Sequence, residues 1–248
     1  MTEKDGSLTT KDVNAKIGKA KPEGGRWVYV DKYINNLHGD IYGQPTDHSH
    51  TAWAVDALSG MVPTGTASVL DVGCGHGFLQ ATFESVGIAW SGVTLGADYE
   101  ICRQAGLPVY EADQSFLPFE DHTFDLIFAR HILEHSPMPM LTLMEWRRVS
   151  SNYLLLVSPA PEYWGYRGKN HYSMAPKVQI RWWLERAGWQ VLREEVMSNN
   201  SGIFLVHWRE ELVKRGHLDP GKAGTHFPPD SYDVEFRFLC RKGNEVLE

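Results

Sequence analysis

A short aliphatic strand that runs directly into three closely spaced glycines is the most restrictive feature of this sequence. The segment reads VLDVGCGHGFLQ, from Val69 to Gln80, with glycines at positions 73, 75 and 77. Glycine adopts left-handed backbone conformations without steric penalty and lets a ligand approach the main chain. A strand, a glycine turn and a helix in succession place backbone amides against a ligand. The segment therefore predicts a βα unit with a binding site at its turn.

The rest of the chain repeats this rhythm of strand and helix. Five β-rich runs, each separated from the next by a segment that can hold a helix, read SVLDV, AWSGVTL, PVYEAD, FDLIFAR and NYLLLVSPA. This alternation predicts an α/β, doubly wound, mainly parallel sheet covered on both faces. Near the end, WQVLREEV and DVEFRFLCRK alternate apolar and polar residues, as an antiparallel edge pair does. The stretch IRWWLERAGW predicts an amphipathic helix that ends at Gly188.

Composition excludes several classes of protein. The chain has 248 residues, 42% of them hydrophobic, which suffices for one α/β domain. Its formal charge of -7 argues against binding nucleic acid through phosphates. Three widely separated cysteines without CxxC spacing indicate reduced thiols, and no segment has the ~20 apolar residues of a membrane span. We expect a cytoplasmic protein with a small-molecule partner and neither nucleic acid nor membrane partners; the oligomeric state does not follow.

The domain organisation follows from shifts in composition. Residues 1–25 lack apolar periodicity and predict a flexible tail without the core of a signal peptide. Residues 26–248 then form a single domain, with an N-terminal helical cap at 26–62. We expect two insertions in it, at 161–176 and at 199–232.

The spacing of the glycines distinguishes a dinucleotide-binding turn from other ligand-binding turns. Phe78 occupies the position where a dinucleotide fingerprint needs its third glycine, so a pyrophosphate site is disfavoured. The wording VLDVGCGHG instead resembles the first motif of class I S-adenosylmethionine (SAM)-dependent methyltransferases, of the methyltransferase type 11-like kind. The resemblance extends from about Ser68 to Pro159. It implies a Rossmann-like sheet of seven strands with the last antiparallel, SAM as cofactor and S-adenosylhomocysteine as product.

The same resemblance implies roles for residues of the first two elements. Asp71, Gly73 and Gly75, and less directly His76, would lie beside the methionine part of SAM. In SGVTLGADYE, Thr94 replaces the acid that most members use to bind the ribose. GVTLG is similar to the cyclopropane-synthase-like branch of the family. This similarity implies that Thr94 and Leu95 contact the cofactor and that a polar residue a few positions later, Asp98 or Tyr99, helps to hold it. The alternative is that Asp98 caps the next helix.

The third element, EADQSFLPFEDHTFDLIF, resembles the family pattern D..LPF.D..FD. The resemblance implies that Asp113 accepts a hydrogen bond from the adenine amino group, with Gln114 and Ser115 beside the ring. Phe116 and Leu117 are open to two interpretations, adenine wall or core packing, and for apolar residues core packing is favoured.

The fourth element, ARHILEHSPMP, resembles the family segment that passes the sulfonium and carboxylate end of SAM, which implies roles for Arg130 and His131. His131 and His135 are four positions apart, so on a helix they would share a face and suggest a metal. Because the spacing places no third ligand, we predict no metal and a structural role for His135.

SAM chemistry needs a general base only where the acceptor must lose a proton. The candidates are His131, His171 and Tyr172, of which His171 is favoured because its segment follows the fifth strand. The alternative is that His171 caps the helix beginning near Ala175. The sequence thus predicts O- or N-methylation of a small-molecule or sugar-like acceptor. Two competing hypotheses are a non-catalytic SAM-binding module and an NAD(P)-dependent oxidoreductase.

Overall fold

The computed structural model describes residues 54–55, 58, 60–161, 170–198 and 233–243. The expected tail, most of the expected cap, half of the expected insertion at 161–176 and all of the one at 199–232 lie outside the described residues. Within the described part, no helix has the length and apolar character that crossing a bilayer requires.

The described residues form one sheet of seven strands. The strands are β1 Ser68–Val72, β2 Ala89–Thr94, β3 Val109–Glu111, β4 Phe124–Arg130, β5 Ser150–Pro159, β6 Trp189–Ser198 and β7 Asp233–Lys242. Their order across the sheet is β3-β2-β1-β4-β5-β7-β6. The first five are parallel, and β7 is antiparallel to both of its neighbours. The predicted seven-stranded α/β sheet with an antiparallel last strand is confirmed.

Helices connect the strands and cover the sheet. They are α1 Gln80–Ser85, α2 Gly96–Gln104, α3 Pro139–Val149 and α4 Lys177–Arg186, with a short 3-10 helix at Leu133–His135. The predicted amphipathic helix is confirmed in α4, since Ile180 and Leu184 are buried while Val178 and Trp182 are exposed. Residues four apart lie on one face of a helix, which explains this division.

Two hydrophobic clusters lie on opposite faces of the sheet because consecutive strand residues point in opposite directions. In β1, Leu70 belongs to the cluster around Trp146 of α3. Val69 belongs to the other cluster, which contains Phe83 of α1. The central strands are therefore buried on both sides, as a parallel sheet requires.

The C-terminal strands confirm the expected antiparallel edge pair. Within the pair, β6 forms the edge and β7 lies between β5 and β6. Two charged residues of β7, Glu235 and Arg237, are buried. The physical reason is the register, which places Glu235 beside Pro159 at the end of β5 and so inside the sheet.

The chain reverses its direction of growth across the sheet at β1, which has β2 on one side and β4 on the other. In open α/β sheets this switch point leaves a crevice at the carboxyl ends of the strands, where ligands bind. The glycine turn follows β1 and the RHILEH segment follows β4, so both border this crevice.

Candidate functional site

The glycine turn is shaped by its own backbone and by packing. Its three glycines have φ values of +75°, +54° and +75°, in the left-handed region. The Gly73 amide donates to the Val93 carbonyl at 2.8 Å, which ties the turn to β2. A Cβ on Gly73 would lie 2.7 Å from Ile132 Cγ1, and one on Gly77 would lie 2.6 Å from Leu107 Cδ1. The turn thus requires glycines at these positions with or without a ligand.

Direct contacts join the four loops that follow β1 to β4. The β1 and β2 loops meet where His76 Nε2 lies 3.0 Å from Asp98 Oδ1. The β3 and β4 loops meet where Gln114 Nε2 donates to the Ile132 carbonyl at 2.8 Å. Since Ile132 also packs on Gly73, the four loops border one site at the switch point.

Asp98 lies in the first turn of α2 and is 6% exposed. The helix begins at Gly96, its N-cap position is Leu95, and no side chain makes a cap hydrogen bond there. The capping alternative for Asp98 is therefore wrong, because the helix begins two residues before it. Its carboxylate instead faces the glycine turn. Thr94 is buried at the end of β2.

The segment after β3 holds one carboxylate and one unsatisfied amide oxygen. Asp113 Oδ1 accepts a hydrogen bond from the Ser115 amide at 2.8 Å. The Ser115 hydroxyl is engaged with Thr142 Oγ1 at 2.8 Å. Gln114 Oε1 is buried and has no hydrogen-bond partner among the described residues. Leu117 is 5% exposed within the core cluster of Trp146, in agreement with the core interpretation.

Asp71 is buried beneath the turn. Trp90 Nε1 donates to Asp71 Oδ2 at 3.2 Å. Burial raises the pKa of Asp71 to about 7, although the Trp90 hydrogen bond opposes this change. Its side chain is therefore engaged with β2, and its contact with a cofactor stays a prediction.

A buried charge cluster lies across the crevice from the glycine turn. Glu235 is fully buried, with Oε1 2.7 Å from an Arg130 guanidinium nitrogen and 2.8 Å from His131 Nε2. Arg237 lies 3.7 Å from the other Glu235 oxygen. Burial alone would raise the pKa of Glu235, but Arg130 and His131 hold it at about 2. The carboxylate is therefore charged at neutral pH.

Sequence reasoning found Arg130 and His131 but missed Glu235, which is 105 positions from Arg130. The available signal was an acid in a strand of buried residues, which demands a partner. His131 itself has φ +50°, and its amide donates to the Val157 carbonyl at 2.9 Å.

Comparison with known proteins identifies the domain that holds this crevice. Residues 70–152 match a family model described as a methyltransferase domain. This span includes most of β1, all of β2, β3 and β4, and the start of β5. About a third of the chain therefore matches a methyltransferase domain.

Relatives of the methyltransferase domain extend this finding. The chain is 29% identical to "Probable methyltransferase ltbC" of Aspergillus luteorubrus, over 46% of this chain and 48% of that protein. The match thus spans about half the length of that relative. One similar solved structure is phosphoethanolamine N-methyltransferase 2 of Haemonchus contortus in complex with S-adenosyl-L-methionine. It superposes on this chain with a TM-score of 0.61 and is 17% identical in sequence. The superposition covers 89% of this chain and 59% of that protein. The [4+2]-cyclase SpnF superposes on this chain with a TM-score of 0.59 and is 21% identical in sequence. The superposition covers 96% of this chain and 97% of SpnF. At these identities the solved structures show the fold alone.

In the methyltransferase domain, His131 and His135 do not share a helical face. The 3-10 helix spans only Leu133–His135, and His131 precedes it in a left-handed conformation. The premise of the pairwise metal hypothesis is therefore wrong, because the chain turns sharply between the two histidines.

His135 instead meets two other residues. Glu134, His135 and His171 each contribute one potential ligand atom, and these three atoms lie within 4.8 Å of one another. The two imidazole rings pack edge to face at 5.0 Å. Burial raises the pKa of Glu134 to about 7 and lowers that of His171 to about 4. Sequence spacing does not reveal this cluster, because His171 belongs to a separate loop far along the chain from Glu134.

The segment at residues 171–172 precedes helix α4 without capping it. The helix begins at Lys177 after Pro176 and has no side-chain cap, so the capping alternative for His171 is wrong. The Tyr172 side chain is 42% exposed, while its amide donates to the Glu134 carbonyl at 2.8 Å. Catalytic roles of His171 and Tyr172 stay predictions.

Proposed function

We propose that the domain binds SAM in the crevice at the switch point and transfers its methyl group to a small-molecule or sugar-like acceptor. The observation that carries the proposal is the junction of four loops at this crevice, with two acidic side chains beside the glycine turn and after β3. Those acids are Asp98 and Asp113.

The side chains of the crevice suit an adenosyl group. Asp98 is a buried carboxylate acceptor for the two ribose hydroxyls, and it takes the place of the acid absent at Thr94. Asp113 is an acceptor for the adenine amino group. Gln114 Oε1, which has no hydrogen-bond partner in the described part of the chain, supplies a further buried acceptor next to it. Buried polar atoms are normally satisfied, so a ligand with donors fits this position.

Other residues would border the rest of the cofactor. Thr94 and Leu95 lie at the end of β2, and the turn glycines permit close approach of the main chain. Arg130 supplies a cation on the β4 side for the carboxylate end. Its Nε atom is buried and has no hydrogen-bond partner among the described residues.

SAM supplies a methyl group that its positive sulfur already activates, so positioning and exclusion of water account for much of the acceleration. For a hydroxyl acceptor we favour His131 as general base. The Glu235 carboxylate lies 2.8 Å from His131 Nε2, and its negative charge favours a proton on that nitrogen. The lone pair of the neutral ring is then on Nδ1, and the buried carboxylate stabilises the charged ring after proton transfer.

Support for a small acceptor comes from charge and from the structural relatives. A net charge of -7 disfavours polyanionic substrates. The Haemonchus contortus relative is named for a small amine substrate. The similarity to a cyclase also supports a second candidate, a SAM-binding domain without methyl transfer, since one fold carries different chemistries.

The test is incubation of the full chain with SAM and a panel of small hydroxyl and amine acceptors. Mass spectrometry would quantify S-adenosylhomocysteine and methylated product together. We expect at least one acceptor class to yield both in equal amounts. SAM that binds but stays intact across the panel would favour the non-catalytic module, and binding of NADH in its place would favour the oxidoreductase.

The His131→Gln variant tests the base. With a hydroxyl acceptor we expect kcat to fall by about 10²-fold or more. Amine acceptors that react as free bases would be affected less. An equal loss with both acceptor classes would contradict a role in proton removal.

A further inference from the structure

Glu134, His135 and His171 form a cluster, called the Glu-His-His cluster below, that methyl transfer with His131 as base leaves without a role. Its potential ligand atoms lie within 4.8 Å of one another. Two imidazole nitrogens and one carboxylate oxygen form a set that zinc and similar divalent transition ions bind. Magnesium and calcium prefer a ligand set made only of oxygen atoms, so the two histidines make these ions unfavourable candidates.

The orientation of His135 suits a ligand. Its Nδ1 lies 3.1 Å from the Asn170 carbonyl, which only accepts hydrogen bonds, so Nδ1 carries the proton. The lone pair is then on Nε2, which lies 3.9 Å from Glu134 Oε1. Histidines that bind metals commonly donate their other nitrogen to a main-chain carbonyl in this way.

Two atoms of the cluster are buried without a partner. Glu134 is 3% exposed, and neither its Oε2 nor His171 Nδ1 has a hydrogen-bond partner among the described residues. Buried polar atoms without partners are rare in folded proteins. A cation between the carboxylate and the imidazoles would satisfy both residues at once.

The main chain holds the two parts of the cluster together. The Glu134 carbonyl accepts hydrogen bonds from the amides of Tyr172 and Ser173, at 2.8 and 2.9 Å. These bonds fix the loop after β5 on the 3-10 helix after β4. Ligand atoms on a tetrahedral zinc ion lie about 3.3 Å apart. Side-chain rotations alone can therefore close the observed spacing.

We propose that the Glu-His-His cluster binds one divalent transition-metal ion of the zinc type. Three protein ligands leave a fourth position open to water or to an oxygen atom of an acceptor. The site lies after β4 and β5, at the carboxyl edge of the sheet. The proposal goes beyond methyl transfer, and its test does not require that SAM bind.

The test is a titration of the chelator-treated full chain with zinc chloride alone, followed by competition with a chromogenic chelator. We expect one zinc ion at the cluster with a micromolar or lower Kd. Glu134→Gln and His171→Gln should each weaken this binding by at least about tenfold, the lower end of the loss seen for residues that only support a ligand.

The matched control is His122→Asn. His122 is exposed, contacts Lys242 and has φ +60°, a conformation that asparagine tolerates. Its zinc affinity should equal that of the wild type. Magnesium chloride is the control for ion class.

A thermal melt of each apo variant shows whether it folds and gives a second readout. Zinc should raise the Tm of the wild type and of His122→Asn, because it binds only the folded site, and should raise that of the two ligand variants less. If one ligand variant does not fold, the other decides. The proposal is overturned if zinc does not bind saturably, if neither folded variant weakens binding, or if magnesium binds more tightly.

Discussion

The two sides of the crevice are built differently. The side that we propose for the cofactor, called the cofactor side below, is formed by the loops after β1, β2 and β3 within residues 73–118. It uses glycines, main-chain bonds and single acids. The charged side, formed by the segment after β4 and the start of β7, joins Arg130 and His131 to Glu235 across more than a hundred residues. The cofactor side consists of residues that are close together in the sequence, whereas the charged side forms only when the sheet brings β4 and β7 together.

This difference has an energetic counterpart. On the cofactor side, backbone conformation and close packing at Gly73 maintain the turn. On the charged side, ion pairing offsets the free-energy cost of burying the charged groups. Removal of one partner therefore leaves a buried charge that is uncompensated. We therefore expect the charged side to be more sensitive to single substitutions and to pH.

The largest expected effect is that of Glu235→Gln. The substitution leaves Arg130 and Arg237 without their buried anion, and we expect a loss of about 3–5 kcal/mol in the free energy of unfolding. Urea denaturation measures it. The control is Glu194→Gln on the neighbouring strand β6, where a 19% exposed side chain pairs with Lys177 and Arg181. The control should lose less than about 1 kcal/mol, and equal losses would contradict the comparison.

The pH dependence sharpens the same contrast. The pKa of Glu235 is about 2 in the folded chain against an ordinary 4.5, so its stabilisation is present above pH 4.5 and is lost as the pH falls toward 2. The stability difference between wild type and Glu235→Gln should therefore shrink by on the order of 2 kcal/mol between pH 6 and pH 3. Denaturation series at pH 6 and pH 3 measure it. A difference that is independent of pH would show that Glu235 is not a charged partner.

On the cofactor side, Gly73→Ala tests packing at the turn. The new Cβ combines a φ of +75° with a 2.7 Å approach to Ile132, and we expect a loss of about 2–4 kcal/mol. Gly106→Ala is the matched control, since its φ is +72° and nothing lies within 4 Å of its Cβ. The control should lose only about 1 kcal/mol from the conformational penalty. Similar losses in both variants would mean that contact with Ile132 contributes nothing.

The smallest expected effect is on binding rather than folding. Asp113→Asn keeps an oxygen for the Ser115 amide but removes the charge that we propose accepts from the adenine amino group. We expect affinity for S-adenosylhomocysteine to fall by about 10- to 100-fold, as for a hydrogen bond to a charged group. Asp121→Asn, at an exposed carboxylate paired with Arg148, should bind as the wild type does. Unchanged affinity in Asp113→Asn would remove this residue from the site.

The contrast between the two sides also explains what the sequence could predict. Strand positions, the glycine turn and helix α4 depend on local periodicity and turn chemistry, and all were predicted and confirmed. Asp98 was also identified, but its capping alternative is wrong because the helix start depends on where β2 ends. Local patterns determine elements better than they determine contacts.

The missed residues all depend on tertiary contacts. Glu235 and Arg237 are buried because β7 lies between β5 and β6. Glu134 and His171 meet only because the loop after β5 bonds to the Glu134 carbonyl. Spacing along the chain carries no signal for either event.

The central claim is that the crevice at the switch point is an adenosyl site. Calorimetric titration of the wild-type chain with S-adenosylhomocysteine, beside a titration with NADH, tests it most directly. We predict saturable one-to-one binding of S-adenosylhomocysteine with a micromolar Kd and no heat from NADH. Absence of S-adenosylhomocysteine binding, or preferential binding of NADH, would contradict the assignment.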